Sequence, residues 1–215
     1  MNEHHDHTGH DMGGVNTMAA SATLHCLTGC AIGEIVGLMI GTALGLSNVA
    51  TIALAVALAF LFGYSLSTLP LLKAGLALGT ALSVVLAADT LSILTMEIVD
   101  NAVMALIPGA MNAGLVNVVF WVGMSIALSA AFIAAYPVNR YLLQRGKGHA
   151  LTHEYHHGGG HAEGWRRRIP SLSTGALAAV IAAFMLGGLV VSIADEMGAG
   201  SHAMAITAAG VDGRR

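Results

Sequence analysis

Two cysteines and a carboxylate follow one another at four-residue intervals in an apolar stretch, HCLTGCAIGEIVGLMIGTALG (residues 25–45). Cys26, Cys30 and Glu34 would occupy one face of a helix, because a helix turns about every 3.6 residues. Thiolates bind soft metal ions, and a carboxylate in an apolar helix indicates an ion path or a partner. We therefore expect these residues to belong to a metal site. The alternative is that the cysteines act as small apolar side chains and Glu34 as a helix–helix hydrogen-bonding group.

A second acidic face lies in AADTLSILTMEIVDNAVM (residues 87–104). At helical spacing its carboxylates and thioethers share one side with Ser92, while Leu91, Leu94 and Ile98 lie on the other. The carboxylates and thioethers are Asp89, Met96, Glu97, Asp100 and Met104. We expect this side to face protein and to belong to the same metal site. If both helices cross the membrane in one direction, Glu34 and Asp89 lie at similar depth, and we predict that they meet near mid-membrane.

Five glycines share the stripe of the two cysteines and Glu34 within about 160° of the helix circumference. They are Gly29, Gly33, Gly37, Gly41 and Gly45. Small residues every fourth position let helix backbones approach closely in lipid, so we expect this stripe to be a helix contact. The opposite side, with Ile32, Ile35, Val36, Met39 and Ala43, is predicted to face lipid.

Histidines form two clusters outside the apolar segments, and imidazole binds zinc, nickel and copper. The alternative is a solvated, low-complexity or pH-responsive segment. The first cluster comprises His4, His5, His7 and His10, and the second His149, His153, His156, His157 and His161.

The composition predicts an all-α, polytopic membrane bundle, because 55% of the residues are hydrophobic and only 10% are charged. We expect five spans at about 22–45, 48–70, 74–105, 113–143 and 171–196. The predicted regions are a disordered His-rich tail (1–21), a four-helix core (22–143), a His/Arg-rich loop (144–170), a fifth membrane helix (171–197) and a C-terminal tail (198–215).

Six of the nine Lys and Arg residues lie between Arg140 and Arg168. Because cytoplasmic loops collect Lys and Arg, we expect this loop inside. Counting spans from that loop places the N-terminus inside and the C-terminus outside.

Several blocks of this sequence resemble an uncharacterised bacterial inner-membrane family, known only as domain of unknown function 4396. The blocks are LHCLTGCAIGE (24–34), FGYSLSTLPLLKAG (62–75), AADTLSILTMEIVDNAVM (87–104), IPGAMNAGL (107–115) and YPVNRYLLQRGKGHA (136–150). The resemblance implies a multi-helix protein of the bacterial inner membrane, and it brings no activity with it.

Our leading hypothesis is a membrane protein that handles or transports a soft or borderline metal ion, with copper favoured over zinc. The alternatives are a proton-coupled carrier of another small solute, with Glu34 and Asp89 as the titrating pair, or a non-transporting assembly or structural factor. Nucleophile-elbow and phosphate-loop patterns do not occur in the sequence, and we expect no enzyme. Expected partners are the lipid bilayer and, through the Gly-rich faces, a second copy of the chain, but no nucleic acid.

Overall fold

The described part of the chain contains five helices and no strand. This computed structural model describes the backbone of residues 8–73, 75–145 and 173–212, and side chains within residues 14–73, 75–145 and 173–199. The helices are α1 (Thr8–Ala43), α2 (Asn48–Lys73), α3 (Leu78–Leu106), α4 (Val118–Gln144) and α5 (Thr174–Asp212), with a 3-10 turn at Ala110–Asn112. Each helix is long and apolar enough to cross a membrane. The predicted all-α membrane bundle is thus confirmed.

The helix ends differ from those expected from the sequence. α1 already begins at Thr8, so residues 8–21, which we assigned to a disordered tail, are helical. α5 continues to Asp212, past the predicted start of a C-terminal tail at residue 198. α2 runs through Pro70 to Lys73, and α4 likewise runs through Pro137 to Gln144. The polar composition of the chain ends therefore does not stop these helices.

The two histidine clusters lie largely outside the described residues. The loop histidines fall between residues 146 and 172, and His4, His5 and His7 precede Thr8. His10 is part of α1, but its side chain is not among those described. Metal binding by these clusters stays a prediction.

α1 is the central helix of the bundle, because it packs against all four other helices. α2 packs against α1 and α3, and α4 packs against α3 and α5. The short connections between α1 and α4 make sequential helices antiparallel, so α1 and α3 run in the same direction. The two helices that carry the candidate residues are therefore parallel neighbours, as predicted.

The glycine stripe of α1 is the contact with α2. A Cβ on Gly37 would lie 2.5 Å from Cα of Ala55, which is too close for any side chain. The same holds along four turns, where the pairs are Gly29 with Gly63, Gly33 with Ala59, Gly37 with Ala55 and Gly41 with Thr51. Small residues thus face one another at four-residue intervals on two antiparallel helices, as we expected of the stripe. Gly45, in contrast, lies in the turn after α1 with a positive φ of 65°.

Ile35 corrects the predicted lipid face of α1. Ile32 and Met39 are exposed as predicted, but only 8% of the Ile35 side chain is accessible. The helical wheel assumed one protein-facing side, whereas α1 has neighbours on most of its circumference. Its lipid-facing strip is therefore narrower than the sequence indicated.

Candidate functional site

The acidic face of α3 points into the bundle. Asp89, Ser92, Met96, Glu97, Asp100 and Met104 are all buried. Leu91, Leu94 and Ile98 are exposed on the opposite side. The predicted orientation of α3 is thus confirmed, and its three carboxyl groups lie in the interior of the bundle.

Glu34 of α1 faces Asp100 of α3. The two carboxyl groups lie close enough to act on each other electrostatically, and both carboxyl oxygens of Glu34 are buried. Within the described chain no hydrogen-bond donor reaches either oxygen of Glu34 or Oδ1 of Asp100. Two acceptors that face each other in an apolar interior repel when both are charged, so the pair requires a proton or a cation to bridge it.

Asp89 is not the partner that we predicted for Glu34; it lies near Cys26 instead. Asp89 precedes Asp100 by 11 residues, which corresponds to about 16 Å along a helix. The depth comparison assumed that α1 enters the membrane near Ala22, but α1 begins earlier, at Thr8. Glu34 is therefore closer to the far end of the bundle than expected, and it meets the last carboxylate of α3 rather than the first.

Cys30 and Glu97 form the next level along the same helix interface. Only 1% of Cys30 and 3% of Glu97 is accessible. The thiol lies beside the Glu97 carboxyl group. The oxygens of Glu97 are not hydrogen-bonded to any described residue. Glu97 also lies close enough to Glu34 to interact with it electrostatically. Cys30 and Glu97 therefore extend the acidic site away from the Glu34–Asp100 pair.

Cys26 lies one turn further, between two serines on neighbouring helices. Its thiol lies near the hydroxyl groups of Ser67 of α2 and Ser92 of α3, and Asp89 is close enough to act on it electrostatically. Both serine hydroxyl oxygens are buried. The two cysteines are free thiols. Each occupies its own level of the interface, so the structure does not bring Cys26 and Cys30 together with Glu34 at one point.

A cavity of about 300 Å³ leads to the Glu34–Asp100 pair. Its lining extends from these two residues to the α1–α2 and α3–α4 connections, and it includes the thioethers of Met104, Met111 and Met124. Lys, Arg and His are absent from the lining that the described residues provide, and Glu34 and Asp100 are its charged groups. A cavity with this lining favours a positively charged occupant.

Asparagines shape the two ends of the cavity. At the connections, Nδ2 of Asn48 donates a 2.7 Å hydrogen bond to Oδ1 of Asn112. Beside the carboxyl pair, Nδ2 of Asn101 donates to the backbone oxygen of Glu97 at 2.9 Å, so this donor is occupied within α3. All three asparagines line the cavity. The Asn48–Asn112 bond therefore links the two connections next to the cavity mouth.

Sequence reasoning missed several cavity residues. Met111 and Asn112 lie in or beside the 3-10 turn, where no helical repeat assigns a side chain to a face. Met124 is a single thioether on α4, indistinguishable in sequence from a packing residue. The available signal was the IPGAMNAGL connection, in which a proline and two glycines interrupt two apolar spans.

The predicted metal ligands do not gather into one ready-made site. Among the described residues, no group of three or more His, Cys, Asp or Glu side chains is arranged to hold a metal ion. Met96 belongs to the same buried core cluster as Cys26 and Cys30 and does not line the cavity, whereas Met104 does. A metal at the carboxyl pair would therefore need ligands of another type as well, and the thioether of Met104 is one that the cavity offers.

The helices and the buried carboxyl groups define a multi-pass membrane protein with a polar site inside its bundle. Its residues 15–148 match the model of the family DUF4396, described as a domain of unknown function, and the chain belongs to that family. Comparisons with curated proteins and with solved structures gave no match. The matched residues contain every residue of the cavity and of the carboxyl pair, whereas α5 lies outside them.

Proposed function

We propose that this protein is a carrier that exchanges protons for a small cation at the Glu34–Asp100 pair. The observation that carries the proposal is that two buried carboxyl groups face each other at the inner end of a cavity, with no described donor between them. This follows the proton-coupled alternative from the sequence, with Asp100 in the place of Asp89.

The charge balance of the pair supports exchange. An isolated charge in an apolar interior is costly, and two like charges are costlier still. A proton on one carboxyl group lowers the net charge and supplies the missing donor. A cation between the oxygens has the same effect, so the two occupants compete for one site. Such competition couples the movement of one to that of the other.

Proton release on cation binding tests the proposal. Purified protein in weakly buffered detergent would be titrated separately with Ag(I), Zn(II), Na⁺ and methylammonium while a pH indicator follows released protons. We expect at least one of these cations to release more protons from the wild type than from Glu34→Gln or Asp100→Asn, since thiols and imidazoles elsewhere release the same number in all three. Asp195→Asn is the control, because Asp195 is an exposed carboxylate on α5. Equal proton release by all four proteins, or by none of them, would overturn the proposal.

A soft metal ion is a second candidate for the cation. Met104, Met111 and Met124 line the cavity together with the two carboxyl groups, and thioethers select soft ions such as Cu(I). Ag(I), a soft ion that does not change oxidation state, is the appropriate probe. If copper is the substrate, Ag(I) should release protons at lower concentration than Zn(II), and replacing the three methionines by leucine should remove that preference.

The proposal includes the membrane and the orientation expected from the sequence, namely the bacterial inner membrane with the N-terminus inside. The distribution of Lys and Arg supports an inside N-terminus, which would open the cavity to the outer face of a bacterial inner membrane. Assembly of a second copy along an apolar face is compatible with the proposal. The site itself lies within one chain.

A further inference from the structure

Buried polar side chains continue beyond the carboxyl pair, away from the cavity. We call the set Glu97, Cys30, Ser92, Cys26, Ser67 and Asp89 the polar row. We propose that the polar row conducts protons between the Glu34–Asp100 pair and the half of the membrane opposite the cavity. This inference rests on the proposed function, because it supplies the route by which the proton of the exchange leaves.

Two members of the row, Cys26 and Cys30, occupy the two turns of α1 that precede Glu34. Cys26, Cys30 and Glu34 are four residues apart, so their side chains lie about 6 Å apart along the axis. α3 supplies a facing group at each level, namely Ser92 at Cys26, Glu97 at Cys30 and Asp100 at Glu34. Because α1 and α3 are parallel, residues at the same spacing on the two helices stay at the same height, so these three pairs lie opposite each other.

Every member of the row can both accept and donate a proton. Hydroxyl and thiol groups do so by rotation, and a carboxyl group does so through its two oxygens. The hydroxyl oxygens of Ser67 and Ser92 and both oxygens of Glu97 are buried without a formed hydrogen bond to any described residue. Groups that serve only to hold helices together would be expected to satisfy one another, since unsatisfied buried polar groups are costly. The row is therefore better explained by proton transfer than by packing.

The transfer conserves protons and electrons. A proton leaves the Glu34–Asp100 pair for Glu97, and each thiol or hydroxyl then accepts one proton as it releases its own. Asp89 accepts the last of these protons, and no group is oxidised or reduced. The net result is one proton moved from the pair to Asp89, about 16 Å along α3 from Asp100.

Thr23 extends the same stripe one turn beyond Cys26. Its hydroxyl is buried, donates to the backbone oxygen of Ala19 at 2.7 Å and accepts from Nδ2 of Asn139 on α4 at 2.9 Å. From Thr23 to Glu34 the stripe covers about 16 Å, and from Glu34 to the end of α1 at Ala43 the cavity side covers about 13 Å. The stripe from Thr23 to Glu34 and the cavity side of α1 together thus match the hydrocarbon thickness of about 30 Å.

Proton flux into vesicles tests the route. Proteoliposomes containing wild type, Ser92→Ala, Cys26→Ala or Ser83→Ala would carry a pH-sensitive dye, and a potassium gradient with valinomycin would impose the membrane potential. We expect flux with the wild type, and flux lower by about tenfold or more with Ser92→Ala and Cys26→Ala. Ser83→Ala is the matched control, since Ser83 is on α3 but exposed and bonded to the backbone of its own helix.

The two proposals fail separately. Ser92→Ala and Cys26→Ala should keep the cation-linked proton release in detergent, because neither residue lines the cavity. Unchanged flux in both variants, or wild-type flux equal to that of empty vesicles, would overturn the proton route. Loss of proton release from the wild type in detergent would instead overturn the exchange site. Ser67→Ala on α2 provides a further variant of the same level if Ser92→Ala does not fold.

Discussion

The carboxyl groups of Glu34 and Asp100 face each other across the contact between two parallel helices, inside the bundle and at the end of a cavity. Two buried acceptors opposed in this way have no stable arrangement as a pair of charges. The contact thus requires a third partner, and a proton or a cation is the simplest one. The function that we propose follows from this requirement.

Replacing one carboxyl group of the pair by an amide should leave the protein at least as stable as the wild type. In Glu34→Gln the amide can donate to Asp100 in place of the shared proton, so the substitution avoids the cost of about 1–3 kcal/mol of an unpaired buried acceptor. Thermal unfolding in detergent at neutral pH should show an equal or higher midpoint. A marked fall in the midpoint would show that Glu34 has a structural partner and would contradict the opposed-carboxyl arrangement.

The close contact of α1 with α2 should not tolerate a side chain at its centre. Gly37→Leu would push a four-carbon side chain against the α2 backbone at Ala55, and we expect loss of the folded, monodisperse protein. Gly79→Leu is the matched control, because a Cβ on Gly79 of α3 meets nothing within 4 Å. Similar size-exclusion profiles for the two variants would contradict the glycine contact.

Ile35 should contribute more to stability than Ile32, although both belong to the side predicted to face lipid. Ile35→Ala removes buried atoms from the core and should cost about 2–5 kcal/mol, as in other cores. Ile32 is 38% exposed, so Ile32→Ala should cost clearly less. Denaturant titrations of the two variants compare them directly, and a larger loss for Ile32→Ala would refute the observed orientation of α1.

The absence of a side chain at Gly188 should be required for α5 to pack against the ring of Trp121. A Cβ on Gly188 would overlap that ring, whereas one on Gly187 meets nothing within 4 Å. In a Trp165→Phe background, Gly188→Ala should shift the fluorescence of Trp121, whose indole N–H donates to the backbone oxygen of Leu115 at 2.7 Å. Gly187→Ala should leave the emission unchanged. An equal spectrum for both variants would mean that α5 does not pack there.

The sequence predicts which side of each helix faces protein better than it predicts which residues of two neighbouring helices lie at the same height along the bundle. Helical spacing places Asp89, Glu97 and Asp100 on one side of α3, and all three are buried. Spacing carries no information on the axial offset between two helices, which depends on where α1 begins. A start at Thr8 rather than near residue 22 explains why Asp100, not Asp89, meets Glu34.

The cavity is the part of the site that pattern analysis could not assemble. Its lining combines α1, α2, α3, α4 and the 3-10 turn, and residues such as Met111 and Asn112 belong to no helical stripe. The position of such residues is decided by how the connections fold over the ends of the helices. An isolated methionine such as Met124 cannot be recognised as a cavity residue from the sequence, because its neighbours depend on how the helices pack.

Infrared spectroscopy of the carboxyl groups tests the central claim most directly. The difference spectrum between metal-free wild type and Glu34→Gln should contain the carbonyl-stretch band of a protonated, buried carboxylic acid. The Asp100→Asn difference should contain a band of the same origin, because the pair holds one proton in common. Saturation with the cation that releases protons should abolish the band in the wild type. A spectrum in which neither substitution nor cation changes that band would contradict a shared proton at Glu34 and Asp100.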